Sequence, residues 1–396
     1  MKILVANLGS TSFKYRLYDL GDPLEPMLAR GAVERIGGSE AKVRTQIGES
    51  TREEIRPIAD HGEAVQLCLD ALTSQPGGVI ASAADVAAIG FKAVHSRHFH
   101  RVHRVDDRVL ESMEAYSDVA PAHNPPYVKA MRTLAERFPR LPLIAAFETD
   151  FHATIPEENR LYAIPAAWSK LGVRRWGFHG ASHRYIATRM PRLLDRSNLR
   201  LISCHLGGSS SLCAIRNGES VACSLGMSPQ SGLPHNNRVG DFDVFSLPAL
   251  MRETGLSLAE VLETLGGKSG LQGICGRNDV RDIETAAVAG SAPDSLALGV
   301  FVNAIRHYLG AYLVELGGAD AIVFTGGIGE NSSFIRASVT RNMQWLGVEL
   351  DPERNQAAHG ETRVSADGSK IQVWAVPTNE EIIVARLAKN LLETEA

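Results

Sequence analysis

The fold is decided by two similar stretches of sequence, one at the start of the chain and one near its middle. Residues 2–20 read KILVANLGSTSFKYRLYDL, and residues 200–216 read RLISCHLGGSSSLCAIR. In each, an apolar run is followed by a turn of small residues and then by a second stretch with the alternation of a strand. Each stretch therefore predicts a β-hairpin, with Asn7 and His205 at equivalent positions.

A second pair of similar segments follows the two hairpins in the same order. Residues 85–92 and 320–327 each predict a strand with glycine near its end. Two matches in one order indicate a duplicated α/β unit. Helices are predicted between them, at residues 63–72, 126–137, 183–194, 246–252, 258–264 and 295–316. We expect the boundary between the halves near residues 147–155, where a predicted strand ends in a polar loop.

Length and composition agree with two domains. The chain has 396 residues, of which 44% are hydrophobic and 22% charged, as in ordinary globular proteins. Its apolar stretches are far shorter than the roughly 18 residues that a membrane span needs. With 41 basic and 45 acidic residues, no whole-molecule field attracts nucleic acid. The apolar run at the N-terminus is too short for a signal peptide, so we expect a cytoplasmic protein without membrane or nucleic-acid partners.

The cysteines predict no disulfide framework. There are five of them, an odd number, without C-x-x-C spacing and mostly in apolar surroundings. We expect buried thiols rather than disulfides or zinc ligands.

Three turns of small residues follow apolar strands, at residues 7–12, 205–211 and 325–332. Glycine lets a backbone approach an anion, and serine hydroxyls and free N–H groups can receive phosphate oxygens. A single turn of this kind is better explained by turn geometry. Three together, the third beginning a predicted helix, favour a nucleotide site, although none matches the Walker A or dinucleotide-binding patterns.

Other polar residues allow more than one interpretation each. His179 and His183 flank Gly180 and are either turn histidines bonded to backbone, a metal pair, or donors to a transition state. Arg238, in a long loop, is either a solvated charge or a functional cation. Asp279 is either a helix N-cap or a ligand of a ribose hydroxyl. Residues 95–104 contain four histidines and three arginines, which favours an anion-binding edge over a metal site.

As an ordered set, nine motifs resemble the acetate kinase family over nearly the whole chain. They lie at residues 7–14, 120–125, 147–152, 175–183, 205–211, 238–243, 279–283, 324–332 and 377–381. The resemblance implies an α/β fold with duplicated RNase-H-like domains of the actin-like ATPase type and a cleft between them. Residues 1–150 and about 381–396 would form the first domain, and residues 151–380 the second, nucleotide-binding domain. It also implies a homodimer and reversible, in-line phosphoryl transfer between ATP and a short-chain carboxylic acid.

The same resemblance assigns roles residue by residue. Asn7 and Glu380 match the metal site, for Mg²⁺ or alternatively Mn²⁺. The residues matched to catalysis are Lys92, Glu148, His179 and Arg238. The residues matched to the acid are Lys92, Val94, Ala122, Phe178 and Pro229. The residues matched to ATP, the co-substrate, are Lys14, His205, Leu206, Gly207, Gly208, Ser209, Asp279, Val280, Arg281, Gly327, Ile328, Gly329, Glu330 and Asn331.

Some residues beside the expected acyl phosphate depart from the family pattern. Lys92 stands where the family has arginine, and Glu148 where it has aspartate. A point-charge ammonium thus replaces a bidentate guanidinium, and a carboxylate is longer by one methylene. We expect these two changes to compensate each other, or else Arg97 to supply the missing guanidinium.

The departures leave several functions open. The leading hypothesis is a kinase of acetate, or of propionate. A kinase of a larger acid such as butyrate is an alternative, because Ala122 replaces a leucine and each methylene buried there is worth roughly 0.8 kcal/mol, unless Phe91 fills the space. A catalytically impaired paralogue that only binds nucleotide is another. The motifs at residues 175–183 and 238–243 argue against a sugar kinase of the same superfamily.

Overall fold

The computed structural model describes residues 1–73, 78–121 and 123–395. The chain divides into two compact units: unit 1 is Met1–Asp150 with Asn379–Ala396, and unit 2 is Phe151–Thr378. The strands are β1 Lys2–Gly9, β2 Ser12–Asp19, β3 Met27–Glu34, β4 Ala41–Ile47, β5 Ser50–Arg56, β6 Val86–Ala93, β7 Val102–Arg104, β8 Leu143–Phe147, β9 Arg200–His205, β10 Ser211–Arg216, β11 Glu219–Cys223, β12 Ala321–Thr325, β13 Thr362–Arg363 and β14 Gln372–Ala375. The helices are α1 His61–Thr73, α2 Asp107–Glu114, α3 Asn124–Arg137, α4 Glu157–Arg160, α5 Ala166–Lys170, α6 Gly180–Leu194, α7 Ser246–Thr254, α8 Leu258–Gly267, α9 Gly270–Cys275, α10 Val280–Val288, α11 Ala292–Leu316, α12 Gly326–Asn331, α13 Ser333–Thr340, α14 Pro352–Gln356 and α15 Glu380–Glu395.

Unit 1 is built on an eight-stranded sheet of order β5-β4-β3-β2-β1-β6-β8-β7. Strand β1 pairs antiparallel with β2 and parallel with β6, which pairs parallel with β8. Along β2, Phe13, Tyr15 and Leu17 are buried in the core, while Lys14 and Arg16 point to the other face. The predicted hairpin at the start of the chain is confirmed.

Unit 2 is built on a six-stranded sheet of order β11-β10-β9-β12-β14-β13. Strand β9 pairs antiparallel with β10 and parallel with β12, and β12 pairs parallel with β14. Asn217 and Gly218 both have positive φ, as a two-residue hairpin turn between β10 and β11 requires. The second predicted hairpin, at residues 200–216, is confirmed by the antiparallel pairing of β9 with β10.

The two sheets share one strand order. In unit 1 the order β3-β2-β1-β6-β8 places three consecutive antiparallel strands beside two parallel ones, and β11-β10-β9-β12-β14 does the same in unit 2. The two similar sequence pairs thus occupy equivalent positions: β1 corresponds to β9, β2 to β10, and β6 to β12. The predicted duplication is visible in the topology of each unit.

Helix α11 is the one helix among the described residues that is long and apolar enough to cross a membrane. Its side chains Leu298, Phe301 and Ile305 are buried in the hydrophobic core of unit 2. Burial in a protein core explains its apolar composition. All five cysteines are free thiols, and all but Cys275 are buried, as the composition predicted.

Candidate active site

In unit 1, the carboxamide of Asn7 is held by a buried tyrosine. Asn7 lies near the end of β1, and the Tyr127 hydroxyl from α3 donates to its Oδ1 atom over 3.0 Å. The same hydroxyl accepts a hydrogen bond from the backbone N–H of Leu8 over 3.3 Å. Burial raises the pKa of Tyr127, so the hydroxyl keeps its proton and remains a donor. Tyr127 was not among the predicted site residues, although it follows closely on the matched motif at 120–125.

Parallel strands bring Lys92 and Glu148 to the same edge of the sheet. Lys92 on β6 pairs in register with Ala146 on β8, and Glu148 follows the end of β8. Lys92 Nζ donates to Glu380 Oε2, at the first residue of α15, over 2.5 Å. Burial opposes the charge of Lys92, but the negative charges of Glu380 and Glu148 outweigh it and raise its pKa. Lys92 is therefore a firmly protonated cation between two carboxylates.

The oxygen atoms of this cluster suit a magnesium ion that also binds phosphates. Asn7 offers an amide oxygen and Glu380 a carboxylate, and Mg²⁺ is usually held by one or two carboxylates, waters and substrate phosphates. Within the described ranges, no group of three or more His, Cys, Asp or Glu forms a complete metal cage. The donor set thus fits an ion that arrives with its nucleotide. Because Glu380 is bonded to Lys92, the ion would share this carboxylate with the ammonium.

The remaining predicted residues of unit 1 lie on or near the same strands. Lys14 on β2 is exposed and stands directly across from Asn7 on β1. Val94 is buried just after β6. Ala122 lies outside the described residues.

In unit 2, the glycine-serine turn between β9 and β10 is tied to Arg238. The guanidinium of Arg238 donates to Ser209 Oγ over 3.3 Å and to the carbonyl of Pro229 over 3.2 Å. The N–H of Ser210 donates to His235 Nδ1 over 2.9 Å, which fixes the turn from the other side. Burial lowers the pKa of Arg238, yet a guanidinium stays charged at neutral pH. Arg238 is therefore a half-buried, anchored cation at the turn and not a fully solvated surface charge.

The predicted histidines form a network linked by serine hydroxyls. His179 has the unusual backbone angle φ 55°, and its ring stacks on His205 with centroids 4.3 Å apart. Ser211 Oγ lies 2.8 Å from both His179 Nδ1 and His183 Nε2, so it donates to one ring and accepts from the other. Burial lowers the pKa of His183 well below its ordinary value, so that ring is neutral. No metal is needed to explain the His179–His183 pair.

Ser211 and His183 orient His179 without having been predicted to do so. Ser203 Oγ holds the other nitrogen of His183, Nδ1, over 2.9 Å. A signal was present in the sequence, since Ser211 directly follows the glycine-serine turn and His183 directly follows the His179 motif. Phe178, which precedes His179, is buried, and its carbonyl accepts a hydrogen bond from His152 Nε2 over 2.9 Å.

The two segments matched to the adenosine side have distinct local structures. Asp279 is the N-cap of α10, accepting from the N–H of Arg281 over 2.9 Å. Hydrogen bonds from the side chain of Arg281 and from its backbone N–H lower the pKa of Asp279 to about 2. The N-cap interpretation of Asp279 is thus confirmed as its local role, and Val280 begins the helix behind it.

Helix α12 begins at a tight turn where β12 ends. Gly326 has φ +76°, and a Cβ there would lie 2.7 Å from the carbonyl of Leu206. Glu330 Oε1 accepts from the N–H groups of Gly326 and Thr378, over 2.9 and 3.3 Å. Gly327, by contrast, has no atom within 4 Å of a Cβ placed on it. Open space beside its backbone is what a bound phosphate would need.

The structure thus places the predicted residues in two sets. Unit 1 holds the predicted metal ligands and the carboxylate–ammonium cluster, and unit 2 holds Arg238, His179 and all the predicted nucleotide residues except Lys14. A cavity of about 700 Å³ in unit 2 lies between α10, α11 and α13, and none of the predicted nucleotide residues lines it.

Residues 2–386 match the model of the Acetokinase family. The chain belongs to this family. It is 41% identical over 390 residues to an acetate kinase of a Geobacillus species, covering 97% of each chain. A crystal structure of Porphyromonas gingivalis acetate kinase aligns with a TM-score of 0.87 at 35% identity, covering 99% of both chains. A propionate kinase structure from Francisella tularensis aligns with a TM-score of 0.88 at 30% identity, covering 98% of this chain and 99% of that one.

Family membership settles the fold and the class of reaction. The two sheets and their helices form the two-domain actin-like ATPase fold. The chain is a phosphotransferase with a carboxyl group as acceptor. Lys92 is one of the residues that depart from the family pattern. It lies in the charge cluster of unit 1, where it donates to Glu380 and its pKa is raised by Glu380 and Glu148.

Proposed function

We propose that this acetokinase-family chain phosphorylates acetate and propionate with ATP, reversibly, to give the acyl phosphate and ADP. The observation that carries the proposal is the family match over residues 2–386, supported by relatives named for both acids. In-line phosphoryl transfer needs little covalent chemistry from a protein. It needs positioning of the two oxygens and neutralisation of the charge on the transferring group.

The charged groups of unit 2 suit this task. Arg238 is half-buried and anchored to the glycine-serine turn through Ser209, so its charge is preorganised and only partly screened by water. His179 is fixed by Ser211 and by stacking on His205. Both groups would therefore stabilise charge that develops in the transition state without reorganising.

The cluster of unit 1 suits the carboxylate substrate and the metal. Glu380 and Glu148 keep Lys92 protonated, so its ammonium group would donate hydrogen bonds to the acid. Asn7 and Glu380 would hold Mg²⁺, or Mn²⁺, with the Asn7 side chain oriented by Tyr127. Such an ion neutralises charge on the phosphate oxygens of ATP. Val94, Phe178 and Pro229 would contact the short acyl chain.

The decisive experiment is detection of acyl phosphate as the hydroxamate. Purified protein is incubated with ATP, Mg²⁺ and acetate, propionate or butyrate in separate reactions. We expect product with acetate and propionate, none when ATP is omitted, and a rate lower by about 10²–10³ when Arg238→Ala replaces the parent. A parent that binds ATP but yields no acyl phosphate with any acid would instead be the impaired paralogue.

Comparing kcat/KM for the three acids decides the size of the acid. The sequence predicts that Ala122, in place of leucine, favours the larger acids, each buried methylene being worth close to fourfold. Ala122→Leu should then shift the preference toward acetate. A parent that prefers butyrate would favour the larger-acid alternative, and an unchanged ranking in Ala122→Leu would show that residue 122 does not set the pocket.

We further propose that the enzyme works as a cytoplasmic homodimer, following the family resemblance. Light scattering of the purified chain should give twice its 42.8 kDa mass. A monomeric mass across the working concentration range would contradict this part of the proposal.

A further inference from the structure

One face of the unit 1 sheet carries a basic cavity whose three arginines have no role in the proposed reaction. Lys14 and Arg16 alternate with the buried residues of β2 and so share the face opposite to the core. Arg30 on β3 pairs directly with Arg16, and Arg44 on β4 pairs with Ala32, which pairs with Lys14. The register thus collects four cations from three neighbouring strands on one surface.

These cations surround a real cavity, which we call the basic basin. It has a volume of about 430 Å³ and is lined by Lys14, Arg16, Arg30 and Arg44, with Gln46 and Glu381 also contributing. Gly31 and Ala32 also line it; both are small residues of β3, the strand between β2 and β4. A longer side chain at position 32 would fill the space between Lys14 and Arg44.

The charges of the basin are only partly balanced by the protein. Glu381 pairs with Arg16 over 3.3 Å. Glu53 pairs with Arg44 over 3.4 Å, but both side chains are more than half exposed, so that pair contributes little. Arg30 donates to the neutral amide oxygen of Gln46 over 2.9 Å. Lys14 and Arg30 make no ion pair with any residue in the described ranges.

Placing arginines opposite each other has an energetic cost that a ligand would remove. Like charges at directly paired positions of adjacent strands destabilise a sheet, and Arg16 and Arg30 are such a pair. Three planar guanidinium groups around one cavity match the oxygen geometry of phosphate groups, to which arginine binds in a bidentate manner. The excess of cations over the single lining carboxylate favours a ligand with several negative charges.

We propose that the basic basin binds a small phosphate-class anion with at least two negative charges, at a subsite built by unit 1 alone. Orthophosphate and pyrophosphate share this chemistry and differ in length and charge. Pyrophosphate is longer, so it can contact the Arg16–Arg30 pair and the cations Lys14 and Arg44 at the same time. It therefore binds more tightly than orthophosphate. Asn7 and Lys14 are themselves lining residues of the subsite, so an anion there lies next to residues that the proposed function uses.

The test is calorimetric titration of the full chain with pyrophosphate and, separately, with orthophosphate, without ATP or acid. Arg30→Gln and Arg44→Gln should each weaken pyrophosphate binding about tenfold, since a charge-assisted bond to phosphate is lost. Arg52→Gln is the matched control, because Arg52 is an exposed cation of the neighbouring strand β5 that does not line the basin. Rising salt should weaken the parent's binding.

Two results would overturn the proposal. One is a parent that binds neither anion in the millimolar range. The other is pyrophosphate binding that survives unchanged in the Arg30→Gln/Arg44→Gln double variant, which would place the anion elsewhere. The hydroxamate assay runs on the same variants, and acyl phosphate formation should persist in them. Loss of the basin subsite is thereby distinguished from failure of the proposed kinase activity, which would abolish product in the parent itself.

Discussion

Replacing Gly327 by alanine separates two reasons for a glycine in the turn that begins α12. A Cβ at Gly327 would meet no atom within 4 Å, so the protein itself leaves room for alanine. Alanine is also favoured over glycine inside a helix by roughly 0.5–1 kcal/mol. We therefore expect Gly327→Ala to leave the free energy of unfolding unchanged or to raise it by up to about 1 kcal/mol.

Nucleotide binding should respond in the opposite direction. If phosphate oxygens approach the Gly327 backbone, the added methyl group occupies their place, and ATP binding should weaken by about tenfold or more, which corresponds to roughly 1.4 kcal/mol. Titration calorimetry with ATP and a denaturant unfolding curve on the same sample measure the two quantities. ATP affinity equal to that of the parent would refute the idea that phosphate approaches this glycine.

Gly329 provides the matched control two residues further on. A Cβ there would lie 3.2 Å from the carbonyl carbon of Phe324 and 3.4 Å from the carbonyl oxygen of Cys204. Backbone atoms cannot easily move aside, so Gly329→Ala should destabilise the fold by about 1–3 kcal/mol. Equal free energies of unfolding for the two alanine variants would show that the space around each Cβ does not govern whether alanine is tolerated there.

Three further predictions follow from the charges of the two units. Arg238→Ala and His179→Ala should each lower kcat by about 10²–10³ while the Kd for ATP changes little; near-parental kcat would remove the residue from the proposed role. Lys92→Arg should reduce kcat/KM, and adding Glu148→Asp should restore it beyond additivity in a double-mutant cycle, whereas purely additive effects would contradict the coupling. Burial lowers the pKa of His152 from 6.5 to about 4, so as pH decreases the unfolded chain binds this proton before the folded chain does. The free energy of unfolding should therefore fall as pH decreases below about 6.5, by up to about 1.4 kcal/mol per pH unit. Urea unfolding at several pH values measures how steeply the free energy of unfolding depends on pH, and His152→Gln should make that dependence weaker. The same pH dependence in the variant would show that His152 is not its source.

The sequence by itself determined the repeated architecture. Strand alternation and turn-forming residues act between near neighbours, so the hairpins at residues 2–20 and 200–216 could be read directly. For the same reason the Gly-Ser turns could be recognised from the sequence, and an N-cap was one of the two interpretations of Asp279. The order of nine motifs added the family, and with it the residues of the candidate site.

Only the tertiary structure decided which of those residues touch. Lys92 and Glu380 are 288 positions apart and meet because α15 packs beside β6. Tyr127 reaches Asn7 from a helix 120 positions away. Such contacts depend on how helices pack on a sheet, which no local pattern encodes.

The histidines and arginines show the same limit most clearly. By sequence, Arg238 could be a solvated charge and the His179–His183 pair could bind metal. Packing partly buried the Arg238 guanidinium beside Ser209 and placed Ser211 between the two imidazoles. Burial and hydrogen-bond partners set the charge and orientation of an ionisable group, and both are properties of the folded chain.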